Sequence, residues 1–198
     1  MPTPVTLSGK HVRLEPLSTA HVGPLLEAAT ESRDTYGLTW VPADDRAMRS
    51  YVDSALAAQS AGEAIPFAVF DVEGIRALGC TRLFDFVSWS GRDCPDAAEI
   101  GHTWYAASAQ RTATNTETKL LLLSYTFEDW KVSRITLKTD ARNERSRNAI
   151  LRLGAQFDGI LRAQQLATDG TIRDTAYYSI IAAEWPAVRE NLRQRLDR

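Results

Sequence analysis

Apolar residues recur along this chain at two spacings, and the switches between them mark out its elements. Alternating or near-continuous apolar runs predict strands at Lys10 to Leu17, Phe67 to Val72, Arg76 to Phe86, Ala98 to Tyr105, Lys131 to Asp140, Gln156 to Ala167 and Arg173 to Ala182. Apolar positions three and four apart predict helices. Val22, Leu25, Leu26 and Ala29 form one stripe after a Ser18 cap, and Met48, Tyr51, Val52, Ala55 and Leu56 form another after Asp44 or Asp45. Further helices are read at Thr116 to Trp130, from Asn143 to a stop at Gly154, and from Glu184 to Leu196. Glu73-Gly74 and Asp169-Gly170 sit between paired strands as hairpin turns. Arg33 to Pro42, with Tyr36 and Trp40, reads as a loop, and Val87 to Asp96, with Trp89, Gly91 and Pro95, as a surface excursion.

The middle of this pattern carries the chemistry. From Ala98 to Gly154 the order is strand, polar turn, helix, strand, helix, and the turn Gln110 to Asn115 precedes a helix whose first N–H groups lack internal partners. Such a helix start attracts anions through those groups and the helix dipole. Thr114 with Glu117 three residues on also spells a capping box, which satisfies the same groups with no ligand. At the second junction Asn143 stands at a helix N-cap and Ser146 on the first turn, just beyond a strand end where ligands of open α/β sheets gather. A cap and a first-turn hydroxyl account for both residues equally well.

Composition narrows the classes. The 198 residues, 44% hydrophobic, suffice for a substantial core, and the whole chain, 1–198, reads as a single domain. A net charge of −2 argues against general nucleic-acid binding, yet Lys131 to Arg152 holds seven basic residues against Asp140 and Glu144, a field suited to a polyanion. Cys80, Cys94 and the three histidines show no metal-ligand spacing, so no metal is expected. MPTPVTLSGK has no apolar signal core and no run approaches a membrane span, so a cytoplasmic setting away from membranes is the expectation. Neither G-x-G-x-x-G nor G-x-x-x-x-G-K-[ST] occurs.

Taken in order, several segments resemble the GNAT superfamily of acyl-CoA-dependent N-acyltransferases, in its RimJ/RimL-like branch. They are Val12-Arg13-Leu14-Glu15-Pro16-Leu17, Ala98-Glu99-Ile100-Gly101, Asn143-Glu144-Arg145-Ser146, Leu153-Gly154-Ala155, Arg173 to Ser179, and Glu184-Trp185. The resemblance covers nearly the whole chain. It implies a mixed α/β fold with a central, mostly antiparallel sheet, helices on both faces, and a parallel pair, Ala98 to Tyr105 and Ser133 to Thr139, that splays to admit a pantetheine arm. The family's pyrophosphate loop, Gln/Arg-x-x-Gly-x-Gly/Ala, falls on Gln110, Ala113 and Asn115, so both small-residue positions are altered. Ala113 costs about 1 kcal/mol if the turn needs a positive φ there.

The cosubstrate so implied is acetyl-CoA. Its binding residues by resemblance are Gln110, Arg111, Thr112, Ala113, Thr114 and Asn115 at the turn, Trp104 and Tyr105 through their backbone, and Asn143 and Arg147 on the second helix. The implied chemistry is direct attack of an amine on the thioester. Glu99 is the expected base, with His102 behind it, and Ser146 stands by the leaving sulfur because the family's usual tyrosine position is Ile150 here. Tyr177 and Tyr178 are fallback phenols. The acceptor is a protein N-terminus or a small-molecule amine, shaped by Arg33 to Asp45, Val87 to Asp96 and Gln164 to Asp174, and a homodimer is implied. A second hypothesis, motivated by Ala113, Asn115 and Ile150, is a non-catalytic module that binds CoA or a partner.

Overall fold

The computed structural model describes residues 3–197; Met1, Pro2 and Arg198, which the sequence reading includes in its domain, lie outside the described residues. Eight strands make one sheet: β1 (Leu7–Ser8), β2 (Val12–Pro16), β3 (Ala64–Asp71), β4 (Ala77–Val87), β5 (Ala97–Tyr105), β6 (Arg134–Asp140), β7 (Gln156–Leu166) and β8 (Ile172–Ile181). Their order across the sheet is β1-β2-β3-β4-β5-β6-β8-β7. Every neighbouring pair is antiparallel except β5 and β6. Five helices surround it: α1 (Val22–Thr30), α2 (Asp45–Ser60), α3 (Ala113–Ser124), α4 (Glu144–Leu153) and α5 (Trp185–Leu196). The mixed, mostly antiparallel sheet with one parallel pair is the architecture expected from the sequence.

Strand alternation assigns the helices to faces. On β4, Arg82 stacks its guanidinium over the Tyr51 ring of α2, 5.0 Å from its centroid, whereas the adjacent Thr81 points the other way. Thr81 meets Thr103, and Thr103 accepts from Lys119 of α3. So α2, with α1 beside it, covers one face and α3 the other, where α5 packs on α3 and α4 on β6. On the first face α1 and α2 lie mainly over β3 and β4, with Tyr51 of α2 reaching Trp104 at the end of β5. The stripe formed by the rest of β5 with β6 and β8 carries less helix cover.

Helix α3 departs from the sequence expectation at both ends. It starts at Ala113, earlier than Thr116, with Thr112 as its cap: the Thr114 N–H donates to Thr112 Oγ1 at 3.2 Å. The expected box between Thr114 and Glu117 does not form. Glu117 instead turns to the β1–β2 hairpin, where its carboxylate accepts from the N–H groups of Lys10, His11 and Val12 at 2.8, 2.6 and 2.8 Å. Gly9 makes room for this, since a Cβ there would fall 2.3 Å from Glu117 Cδ. A tertiary partner offering three donors outcompetes a single local one. Beyond Ser124 the helix widens into a π turn, Tyr125–Trp130, closed by left-handed Lys131. The buried Thr126 hydroxyl donates back to the Leu122 and Leu123 carbonyls, which competes with the regular ladder.

β7 is the outer strand, and its pairing with β8 is broken twice, between Phe157 and Gly159 and between Leu161 and Gln165.

Candidate active site

The parallel pairing of β5 and β6 covers only Ala97↔Arg134, Ala98↔Ile135 and Glu99↔Thr136. Past Glu99 the strands diverge, so the edge of β5 from Gly101 to Tyr105 faces a gap and its polar groups need other partners. A bulge sharpens the divergence. Cys80 pairs with Trp104 and Arg82 with Gly101, so Thr81 of β4 opposes two residues of β5, His102 and Thr103, and His102 takes a left-handed φ of 50°. Gly79 permits the close approach of β4 here: a Cβ on it would lie 2.0 Å from the Trp104 carbonyl oxygen. The buried side chains at the end of the strand go to opposite faces, Trp104 toward Tyr36 and Tyr51 and Tyr105 toward Thr118 of α3.

The turn that ends this gap is ordered from within. Gln110 donates through Nε2 to Thr35 Oγ1 and to the Tyr105 carbonyl, at 2.8 and 2.9 Å, and its Oε1 accepts from Arg145 at 3.3 Å. Arg145 also donates to the Thr35 carbonyl, so this side chain, which sequence reasoning passed over, fastens α4 to the α1–α2 loop. The left-handed position is Arg111, at φ 62°, while Ala113 begins the helix. The strain expected at Ala113 is therefore absent, and the turn's glycine-like geometry falls two residues earlier on an exposed arginine. The N–H groups of Arg111, Thr112 and Ala113 donate to no described residue. Thr114 is buried, Asn115 half-buried.

Across the gap, Asn143 caps α4, its Oδ1 accepting from the Ser146 N–H at 3.0 Å. Its side-chain amide nitrogen has no described acceptor. Ser146 is half-buried one turn in. Arg147 spends Nε on the Tyr178 hydroxyl at 2.9 Å and Nη1 on the Ala141 carbonyl at 3.2 Å, which ties α4 to β8. Tyr178 is fully buried on the α4 side, and Ile150 is also buried.

Glu99 lies on the face of the sheet that α1 and α2 leave partly open. It is 2% exposed, and Lys138 Nζ of β6 stands 2.8 Å from its Oε2. Burial pushes the carboxyl up to about 7, against the pull of the Lys138 ammonium. Gly101 leaves the room it needs, as a Cβ there would meet Glu99 Oε1 at 3.0 Å and Phe84 Cε1 at 2.9 Å. His102 packs edge-on against Phe84, and enclosure of its ring together with Arg82 and Lys138 lowers its pKa, leaving it neutral. On the opposite face Lys119 is buried without a carboxylate; it donates to Thr103 Oγ1 at 2.7 Å, and burial lowers its pKa to about 7.

Of the segments expected to shape an acceptor pocket, two meet. Arg33, Tyr36, Trp40 and their neighbours face Thr168 and Asp169 of the β7–β8 turn across a cavity of about 440 Å³. Val87 to Asp96 lies at the other end of β5, held by Arg92, which bonds the Trp130 and Lys131 carbonyls and Asp96. Tyr36 is buried against Trp104, whereas Trp40 and Trp89 are exposed. Among the described residues no helix is long and apolar enough to cross a membrane.

A sheet opened at its one parallel pair, with unpartnered amides at the end of the opening, places the protein in a distinct class of α/β folds. The sequence matches the acetyltransferase (GNAT) domain over residues 11–156. It is 32% identical over 88 residues to YdaF of Bacillus subtilis (strain 168), named as a ribosomal N-acetyltransferase. That match takes in 44% of this chain and 47% of YdaF, so it spans about half the length of that relative. The crystal structure of a GCN5-related N-acetyltransferase from Brucella melitensis superposes with a TM-score of 0.85 at 28% identity, covering 98% of this chain and 86% of that one. Mycobacterium smegmatis RimJ, solved in complex with CoA-disulfide, shares the fold with a TM-score of 0.80 at 20% identity, over 97% and 95% of the two chains. The chain belongs to the GNAT acetyltransferase family.

Proposed function

We propose that this protein is an acyl-CoA-dependent N-acyltransferase that moves acetyl from acetyl-CoA to a primary amine. The observation that carries the reading is the early end of β5–β6 pairing at Glu99↔Thr136, which leaves an open strand edge leading to the free N–H groups of Arg111, Thr112 and Ala113. An extended chain of amides ending in a diphosphate fits that sequence of groups: strand-edge donors and acceptors first, then a helix start.

Bound acetyl-CoA supplies the activated acyl group; the protein's residues do the rest. Trp104 and Tyr105 hold the arm through backbone groups, with the Asn143 amide nitrogen opposite. Arg111 to Asn115 receive the diphosphate, with Gln110 setting the turn's shape and Arg147 anchoring α4 beside it. Glu99, with a carboxyl poised near 7, takes the proton from the acceptor ammonium. Ser146 offers its hydroxyl to the departing sulfur. The acceptor enters over the less covered face of β5, β6 and β8, and a protein N-terminus is one candidate, a reading that a relative named for ribosomal N-acetyl transfer supports. One domain, a homodimer and a cytoplasmic setting belong to the same proposal, the dimer prompted by exposed Trp40 and Trp89.

Free-thiol release from acetyl-CoA with a panel of amines tests it. Binding of acetyl-CoA without release for every amine, and with no change on Glu99→Gln, would leave a binding module instead. Asn143→Ala should weaken CoA binding by about 1 to 2 kcal/mol, part of it reappearing as lost stability because the cap to the Ser146 N–H goes too. Calorimetry with CoA decides this, and an unaltered dissociation constant removes Asn143 from the site. Ser146→Ala should lower kcat several-fold with little change in CoA affinity. Full activity in that variant would make the hydroxyl structural.

A further inference from the structure

Three strands converge on the Lys138 ammonium. Its Nζ lies 2.8 Å from Glu99 Oε2 of β5, 5.6 Å from the centre of the Phe84 ring of β4 and 5.8 Å from that of Tyr177 of β8. A carboxylate set between two aromatic faces is a recognition site for an ammonium ion, because the ring faces and the carboxylate all present negative charge. Here the ion is supplied by the chain itself. The two partners differ in mobility: the Lys138 side chain is 22% exposed on a flexible stem, whereas that of Glu99 is 3% exposed and boxed in by Phe84 and Gly101. Lys138 can swing outward and Glu99 cannot follow.

On the acyl-transfer reading, an acceptor ammonium must reach Glu99 to give up its proton. The oxygen of Glu99 that carries the ion pair is already held by Lys138, and two ammonium groups cannot share the space between the rings. Arg173, on the same face, adds to the repulsion, while Asp85 gives a displaced lysine a carboxylate to move toward.

We propose that Lys138 is a tethered competitor of the acceptor. Its ammonium occupies the acceptor's own seat between Glu99, Phe84 and Tyr177, and acceptors bind by displacing it. The seat takes primary ammonium groups, since a secondary or tertiary amine does not fit between two rings that already close on a lysine. Only the name of the occupant rests on the acyl-transfer reading; the seat rests on the geometry.

The probe is n-butylammonium chloride, titrated at pH 8 into the full chain and into Lys138→Met, with binding followed in 1H–15N spectra. The variant is expected to bind at least ten-fold more tightly, with shifts centred on Phe84, Glu99 and Tyr177, and Tyr177→Leu in that background should give back several-fold. Lys138→Arg, which keeps a cation on the tether, should stay as weak as the parent. Thermal melting confirms folding, and Lys138→Gln replaces the methionine variant if that one melts early. Equal or weaker binding in the variant, or shifts elsewhere on the surface, overturns the proposal. The same proteins are assayed for thiol release from acetyl-CoA. No release with any amine, alongside tighter butylammonium binding in the variant, removes the acyl-transfer reading and keeps the seat. Release with an amine KM unchanged and kcat lowered in Lys138→Met makes the lysine a positioning residue for Glu99 and removes the seat.

Discussion

Glu99→Gln is expected to lower kcat/KM for the acceptor amine by about 10²- to 10⁴-fold, the contribution of a positioned general base, while leaving the affinity for acetyl-CoA within a factor of about two. The pH profile should change with it. Burial raises the Glu99 carboxyl from 4.5 to about 7, so the parent's rate should fall about ten-fold per pH unit below that value, as the base becomes protonated. The glutamine variant should lack that limb. Its stability moves in the opposite sense to a simple loss of function. Between 4.5 and about 7 the folded parent keeps a proton that the unfolded chain has released, so its stability declines as the pH rises through that window, and the variant escapes the decline. A rate at pH 8 within a factor of about three of the parent would take Glu99 out of catalysis.

Glu117→Ala is expected to be the most destabilising single change in the chain outside the hydrophobic core. It removes the acceptor for three N–H groups, those of Lys10, His11 and Val12. An unsatisfied buried donor costs about 1 to 3 kcal/mol. Water can reach the exposed Lys10 and His11 but not the fully buried Val12, so a total of about 3 to 5 kcal/mol follows. In thermal melting this corresponds to a drop on the order of 10 °C. Glu117→Gln keeps one acceptor oxygen and should lose less than half as much. If the alanine variant melts within about 2 °C of the parent, the hairpin is held by its apolar contacts and the carboxylate is incidental.

Periodicity located the longer elements because each has one face against the core: β4 and β5 run within a residue of their expected limits, and α2 starts where its cap is read. What it missed was set by partners remote in sequence. A two-residue strand, Leu7–Ser8, carries no period, and it exists because Glu117, 105 or more residues away, organises the turn beside it. The same carboxylate was read as a local cap, since spacing cannot distinguish an acceptor used three residues back from one used across the fold. β3 begins at Ala64, three residues before the expected start at Phe67, and runs through Pro66; the Pro66 carbonyl still accepts from Leu17 N–H and no ladder donor is needed from the ring nitrogen. Of the proposed site, Glu99, Asn143 and the Gln110 to Asn115 turn are candidates through the order of segments that carries the family resemblance. The bulge at His102, the left-handed Arg111 and the partners of Lys138 could not be named that way, because each arises from register between strands.

The two breaks in β7 have a meaning for the molecule in a crowded solution. An outermost strand of eleven residues carrying exposed Phe157, Ile160 and Leu161 would ordinarily invite a stranger's backbone to zip alongside it. The shifts in its pairing with β8 around Gly159 and again before Gln165 bend and twist this rim, which makes it a poorer template for such a visitor.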